Sequence, residues 1–571
     1  MTMTGKEEHV FRSSFADMVK EIVVPNVSYP TFAFDCIRKN LKFLGDRAAA
    51  VDAVRGQHLL YKDVEPLAVR FASALTRKGF EKGDVMFYVT YNAALLFALQ
   101  FGVWLCGGAV KGCFQKEDAD EMERQMMEVK CRFILCEPET AELVKAAAGR
   151  LGWPVHYLSI DGAVEGASSV EVMASADDGS AYNKDVPIDP EEDILLIPST
   201  SGSTGSPKGA LHTHRNLVIL QASLGAPLDL EREDLGGETL LWVNGNFNVG
   251  PSFMFQNSVM LGNTYVSISK FKKDSYFRFI DYHKPTHLGL YPYVANIVAS
   301  CPEMEVRDFS FIKSISLVGS VVGSSTIENL SKYFLQAKFE VIYGMTETLI
   351  ISSHRFGLHH KILRDPVMEA RCKVKLLEVD GEVYVSCGQL YPLVEAKILD
   401  VESGNALGSG SKGRILVRSP YIMKGYIKSA SPLGYQSSVD EHGWLDTGDY
   451  GFIDEDGHIY IIERLKMIFK YLMHHVSPAD IERVILEHQS VESVGVVGVP
   501  DPKSTSAAKA YIVIKPGCCT TEEEIKKHVA DNMPFYKHLH GGVVFTDVLP
   551  ESTGGKVDRA VLLSRAIQDS K

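Results

Sequence analysis

Two short segments of the 571-residue chain combine residue types that can hold a phosphate. The first is Ser199-Thr200-Ser201-Gly202-Ser203-Thr204-Gly205-Ser206-Pro207-Lys208-Gly209, directly after the apolar run 194–197. Glycines in such a loop let backbone N–H groups face an anion, the Ser and Thr hydroxyls add donors, and Lys208 adds positive charge. No Gly-Lys-Ser/Thr follows Gly205, so this is not a Walker A loop. The second segment is Tyr343-Gly344-Met345-Thr346-Glu347-Thr348, after the run 339–342. A hydroxyl beside a carboxylate suits a nucleotide α-phosphate with its magnesium. Thr346 can donate to an oxygen, and Glu347 can ligate the hard cation directly or through water. Taken alone, the hexapeptide equally describes an ordinary exit from strand to loop.

Elements must position these segments, and the apolar pattern indicates which. From about residue 85 to 343, short apolar runs (85–89, 133–135, 194–197, 240–243, 265–268, 287–290 and 315–318) alternate with longer helix-like stretches such as 279–282 and 327–335. This is the pattern of α/β layers with largely parallel sheets. After about residue 378, strands at 383–386, 395–399, 414–418 and 459–462 are separated by Gly, Asp and Ser turns, Asp454-Glu455-Asp456-Gly457 among them. That segment predicts an antiparallel β subdomain. From about residue 464 the pattern shifts again, to a small α+β unit. A helix opens at Ser477-Pro478-Ala479-Asp480, strands follow at 494–499 and 509–514, and a helix spans 521–532.

Composition narrows the function classes. There are 59 basic against 72 acidic residues, a net charge of −13, so the basic footprint of a nucleic-acid binder is missing. Ten cysteines, none in CxxC spacing, read as mostly reduced and buried. Residues 85–110 carry no charge and are long enough to span a bilayer. They are punctuated, however: a strand at 85–89, a turn with Asn92 as helix N-cap, a helix over 93–106, and Gly107-Gly108 to end it. A buried strand–turn–helix is therefore expected, with peripheral membrane contact left open and oligomeric state not addressed. The N-terminus lacks the apolar stretch of a signal peptide, and Asp569-Ser570-Lys571 is not the Ser-Lys-Leu peroxisomal address. A cytoplasmic protein is expected, with a peroxisomal location not excluded.

The loop at 199–209, continued by Thr213-His214-Arg215-Asn216-Leu217, resembles the signature of the adenylate-forming superfamily. Its branch of acyl-CoA synthetases, 4-coumarate–CoA ligases and firefly luciferase is the nearest in pattern, and the resemblance runs in order along nearly the whole chain. It implies a large N-terminal domain, residues 1–465, of two α/β layered subdomains plus a β-barrel-like subdomain at about 378–465. It also implies a small mobile C-terminal cap, residues 466–571. By this resemblance, Thr200, Ser201, Gly202, Ser203, Thr204, Gly205 and Lys208 guide the phosphates of ATP. Gly319 and Ser320 line the adenine, and Ile342, Tyr343, Gly344, Thr346 and Glu347 hold the adenylate, with Glu347 on Mg2+. In Trp444-Leu445-Asp446-Thr447-Gly448-Asp449, Asp449 falls at the ribose position. In Glu463-Arg464-Leu465-Lys466, Arg464 adds a second ribose contact and Lys466 marks the hinge. Lys556, in Pro550-Glu551-Ser552-Thr553-Gly554-Gly555-Lys556, falls at the catalytic lysine. A mobile ammonium there can neutralise the phosphoryl oxygens while a carboxylate attacks the α-phosphorus. Lys470-Tyr471 matches the pair that faces the site once the cap has rotated for thiol attack.

The chain departs from that pattern in four places. Leu472-Met473-His474-His475 replaces the usual Lys-Gly-x-Gln, so Met473 stands where a glycine lets the CoA arm pass. Asn246-Phe247-Asn248-Val249-Gly250 lacks the aromatic–His pair of the acid pocket, and Gly319-Ser320-Val321-Val322 replaces Gly-Ala-Pro-Leu. Ile342, Leu349 and Ile350 add apolar branching near the pocket floor. His283, His287, His359 and His360 read as structural or solvated. The expected function is ATP-dependent activation of an apolar carboxylic acid, fatty or aryl, to acyl-AMP, followed by thioester formation with CoA. Its rivals are transfer to a carrier protein or other acceptor, a luciferase-like oxidase, and a non-catalytic nucleotide-binding scaffold.

Overall fold

The structure is a computed structural model that describes residues 9–19, 23–200, 207–223, 237–243, 249–269, 271–354, 374–379, 381–428, 434–472, 474–550 and 557–569. Two mainly parallel sheets carry the first part of the chain. One has the strand order Lys338–Ile342, Ser314–Val318, His287–Leu290, Thr239–Val243, Thr264–Ile268, Ala48–Asp52, Gln57–Leu60, and only its last pair is antiparallel. In the other, strands Ile194–Leu196, Ala109–Gly112, Val85–Val89, Phe133–Cys136 and His156–Ser159 run parallel, and Ala210–Thr213 adds antiparallel at the Ile194–Leu196 edge. Val85–Val89 and Phe133–Cys136 are buried at every position. That is why they read as unbroken apolar runs: helices cover both faces of a parallel sheet.

The uncharged stretch 85–110 resolves into strand Val85–Val89, helix Leu95–Leu105 and a return strand Ala109–Gly112. The helix is apolar all round because nearly all of it lies in the core, with Trp104 fully buried. No described helix is long and apolar enough to cross a membrane. The predicted cap differs. The helix starts at Leu95 with Ala94 at the N-cap position, yet Asn92 Oδ1 still accepts the first-turn N–H of Leu96 at 3.3 Å, from two residues earlier than a standard cap. Asn92 also reaches an ionic cluster between the two sheets. Its amide donates to Gln57 Oε1 at 2.6 Å and to Asp161 at 3.0 Å, and Arg55 pairs there with Asp52, Glu137 and Asp161.

Beyond the parallel sheets, strands Glu395–Leu399, Gly413–Arg418, Leu445–Ile453 and Ile459–Arg464 form an antiparallel sheet, and the N-terminal strand Phe11–Arg12 pairs onto its Glu395–Leu399 edge. The predicted turn 454–457 joins its last two long strands, with Gly457 in the left-handed region. The small C-terminal domain is built on the hairpin Val491–Asp501 and Thr505–Ile514, flanked by strand Gly542–Phe545 and the short strands Phe469–Tyr471 and His474–Val476. Helices Pro478–Leu486, Glu522–Asn532 and Arg559–Asp569 cover it. Helix Pro478–Leu486 has Pro in its first turn, and helix Glu522–Asn532 is closed by a capping box from Thr521 and Glu524. The described cysteines are unpaired and buried, except for Cys518 and Cys519.

Candidate active site

Strands Ser314–Val318 and Lys338–Ile342 are parallel neighbours, with Val318 opposite Ile342. Their C-terminal ends therefore release Gly319-Ser320 and Tyr343–Thr348 side by side, the place where open α/β sheets receive ligands. Gly319 takes φ +98° and lies against the Tyr291 ring, where a side chain would collide. Gly344 is required for a different reason. The segment folds back so tightly that a Cβ on Gly344 would run into the carbonyl oxygen of Leu349. Leu349 pays for that return with a left-handed backbone, φ +64°. Hydrogen bonds from Leu349 N to Met345 O (2.8 Å) and from Ile351 N to Tyr343 O (2.8 Å) close the loop.

Thr346 and Glu347 sit on that loop, and two residues that carried no motif hold them. His212, fully buried on strand Ala210–Thr213, donates Nε2–H to the Thr346 carbonyl at 2.8 Å. Burial pushes its imidazole down to about 4, so it is neutral near pH 7. Tyr426, on strand Gly425–Ile427 beside His212's strand, donates its hydroxyl to Glu347 Oε1. Burial, and after it the Glu347 carboxylate, raise the Tyr426 phenol. The Lys208 ammonium lies 5.7 Å from the centre of the same Tyr426 ring. One aromatic side chain thus bridges the end of the glycine-rich loop and the buried carboxylate.

The ribose-position residues come together across an antiparallel pair, with Asp449 directly opposite Arg464. Arg464 Nε lies 3.1 Å from Asp449 Oδ1, and its Nη1 donates to the Thr447 carbonyl at 2.8 Å. Tyr343 donates its hydroxyl to Asp449 Oδ2 at 2.6 Å, which ties the 343–348 loop to this sheet. Burial, then Asp449, raise the Tyr343 phenol. Burial alone would lower the Arg464 guanidinium, but Asp449 and the neighbouring Tyr343 and Glu347 outweigh it, so the charge is secure.

The remaining predicted positions divide. Thr200 and Lys208 are at the two stems of the glycine-rich loop, joined by Thr200 N to Lys208 O at 2.9 Å. Ser201, Gly202, Ser203, Thr204, Gly205, Met473 and Lys556 lie outside the described residues. Lys466 is exposed in the turn Leu465–Met467. Lys470 is not brought to this cluster: its ammonium faces Glu402 at 3.3 Å, exposed on the antiparallel subdomain. Among the described residues, no group of three or more His, Cys, Asp or Glu side chains could hold a metal by itself.

The sequence profile of the AMP-binding enzymes matches residues 37–427, and that of the AMP-binding enzyme C-terminal domain matches residues 480–556. The chain is 30% identical to 4-coumarate–CoA ligase 3 of Oryza sativa subsp. japonica, covering 99% of this chain and 96% of that protein. It is 28% identical to 4-coumarate–CoA ligase 1 of Petroselinum crispum, covering 98% and 97%. ATP-bound MatB from Rhodopseudomonas palustris shares the fold, with a TM-score of 0.78 at 22% identity over 95% of this chain and 100% of that one.

Proposed function

The chain belongs to the AMP-binding enzyme family and is an adenylate-forming enzyme, and from that premise we propose that it joins an aryl or related apolar carboxylic acid to CoA through an acyl-AMP. The observation that carries this reading is the convergence of Tyr343, Asp449, Arg464, Thr346 and Glu347 at the ends of two parallel strands. In the proposed first step the acid's carboxylate oxygen attacks the α-phosphorus of ATP, and pyrophosphate leaves. Asp449 and Arg464 receive the ribose, Gly319 and Ser320 border the adenine, and Thr346 donates to an α-phosphoryl oxygen. Lys208 and the stems of its loop steady the outgoing phosphates, and Lys556 neutralises charge as it moves from the carboxylate to the bridging oxygen. Glu347 is the residue that would hold a magnesium ion, which would supply further neutralisation of phosphate charge.

In the proposed second step a thiol adds to the acyl carbonyl and AMP leaves. We assign residues 1–465 to the adenylating body and 466–571 to a cap that turns about Lys466 and brings Lys470 to the site. The names of the relatives favour an aryl acid such as 4-coumarate over a fatty acid. A carrier-protein acceptor is the alternative. It draws on the hairpin tip beside Lys470, where Leu472 is apolar, exposed and left-handed at φ +53°. Purified protein given ATP, MgCl2, CoA and a panel of aryl and aliphatic acids separates the two. Acyl-CoA is expected. Acyl-AMP that accumulates while CoA is unconsumed would sink the CoA assignment and leave the alternative.

A further inference from the structure

Beneath the glycine-rich loop lies a charge that the steps above do not use. Lys111, in strand Ala109–Gly112, is fully buried. Its ammonium donates to Ser199 Oγ at 2.9 Å and faces Glu128 Oε2 at 3.4 Å, an atom with no other hydrogen-bond partner. Burial lowers the lysine's pKa, and Glu128 opposes the shift. The other oxygen of Glu128 accepts the Gly209 N–H at 2.9 Å. Ser199 and Gly209 face each other as an antiparallel bridge where the chain enters and leaves the loop. One ion pair thus grips both stems.

The helix that carries Glu128, Ala119–Val129, adds two more holds from the same face. Gln125 Oε1 accepts from Ser199 Oγ at 3.2 Å, and Arg124, itself clasped by Glu121, donates to the Pro207 carbonyl at 2.7 Å. A buried ion pair is a poor way merely to fill a core, since well-packed apolar residues do that at equal or lower cost. What apolar residues cannot do is donate to a hydroxyl on one stem and accept an N–H from the other.

We propose that Lys111 and Glu128 are positioning residues for phosphate binding: their buried pair sets the spacing of Ser199 and Gly209, the two stems of the segment proposed to meet the phosphates of ATP. The inference rests on reading the loop as a phosphate site. The test is calorimetric binding of ATP and of AMP, in MgCl2, to wild type, Lys111→Met and the charge-free double variant Lys111→Met/Glu128→Gln. The single variant strands a buried carboxylate and is expected to lower Tm. The double variant removes both charges while the glutamine still offers an oxygen to Gly209, so its Tm should return close to wild type.

Its Kd for ATP should nonetheless rise by about tenfold, the loss expected for one charge-assisted hydrogen bond, with Kd for AMP within about twofold. A folding role would leave ATP binding intact in the double variant or weaken ATP and AMP alike, and either result overturns the inference. An insoluble single variant leaves the double variant to decide. Wild type that binds ATP while supporting no acid-dependent reaction would count against the proposed function alone. Wild type that binds no ATP would overturn the phosphate-site reading and this inference together.

Discussion

Two ion pairs with proposed roles in the same reaction are built in opposite ways. Asp449 and Arg464 face each other across an antiparallel ladder, with the carboxylate 4% exposed and three further groups, Tyr343, Thr447 and the strand backbone, fixing the pair. Lys470 and Glu402 meet at 3.3 Å with both side chains at least half exposed. Breaking a fully buried pair costs about 3–5 kcal/mol and an exposed pair is worth about 0–1 kcal/mol; with the Arg464 side chain 37% exposed, the first pair falls between the two. The pair proposed to receive the ribose is thus held by several groups, while the contact of Lys470 with Glu402 is by itself weak. At these two contacts the contrast is the one that the proposed body and turning cap would need.

The contrast can be broken from either side. The largest effect is expected at the cap. Lys556→Ala should slow acid-dependent adenylation by about 100-fold or more while leaving Tm unchanged, because a cation that meets the reacting phosphate stabilises the transition state and not the fold. Equal loss of rate and Tm would instead make Lys556 a structural residue. On the fixed side, Asp449→Ala strands Arg464 and Tyr343. It should raise the KM for ATP by about 10- to 100-fold and lower Tm together, as calorimetric unfolding and steady-state kinetics would show. An unchanged Tm would mean that the pair is not the brace described above.

Acid should also weaken the fixed side first. His212, His214 and His354 are pushed down by burial to about 4, about 4 and about 3, from a reference value of 6.5. The unfolded chain therefore binds protons that the folded chain refuses. Stability is full above pH 6.5 and is lost as pH falls through that value toward 4, by about 1.4 kcal/mol per pH unit for each histidine. A Tm that stays level between pH 7 and pH 5 would contradict this. The smallest effect is expected at Glu402→Ala: a change in stability under about 1 kcal/mol and an unaltered first step. A marked loss of either would show that the exposed pair matters more than its geometry implies.

How much of this could be read in advance depended on whether the signal was local. The parallel strands were legible because burial on both faces leaves unbroken runs such as 133–135, and the helix expected over 521–532 and the turn at 454–457 rest on local patterns. The loop at 199–209 and the segment at 343–348 were legible because glycine, hydroxyl and charge are adjacent in the chain. His212 and Tyr426 were not, since each acts through a partner more than 70 residues away, Thr346 and Glu347. Asn92 was legible in part: its Oδ1 accepts from Leu96 N–H as a local cap would, while its amide donors to the distant Gln57 and Asp161 left no local signal. Lys111 did carry a signal, a single charge inside the apolar strand Ala109–Gly112, but its partner Glu128 only becomes apparent when helix Ala119–Val129 lies against the loop.

The central claim is that this site activates a carboxylic acid with ATP. Exchange of labelled pyrophosphate into ATP, measured with purified protein and MgCl2 across aryl acids including 4-coumarate and across aliphatic acids of graded length, tests it without reference to the final acceptor. Exchange that depends on an aryl or related apolar acid, and that collapses in Lys556→Ala, is the predicted result. ATP binding without exchange for any acid of the panel would contradict the claim and would make the chain a nucleotide-binding scaffold.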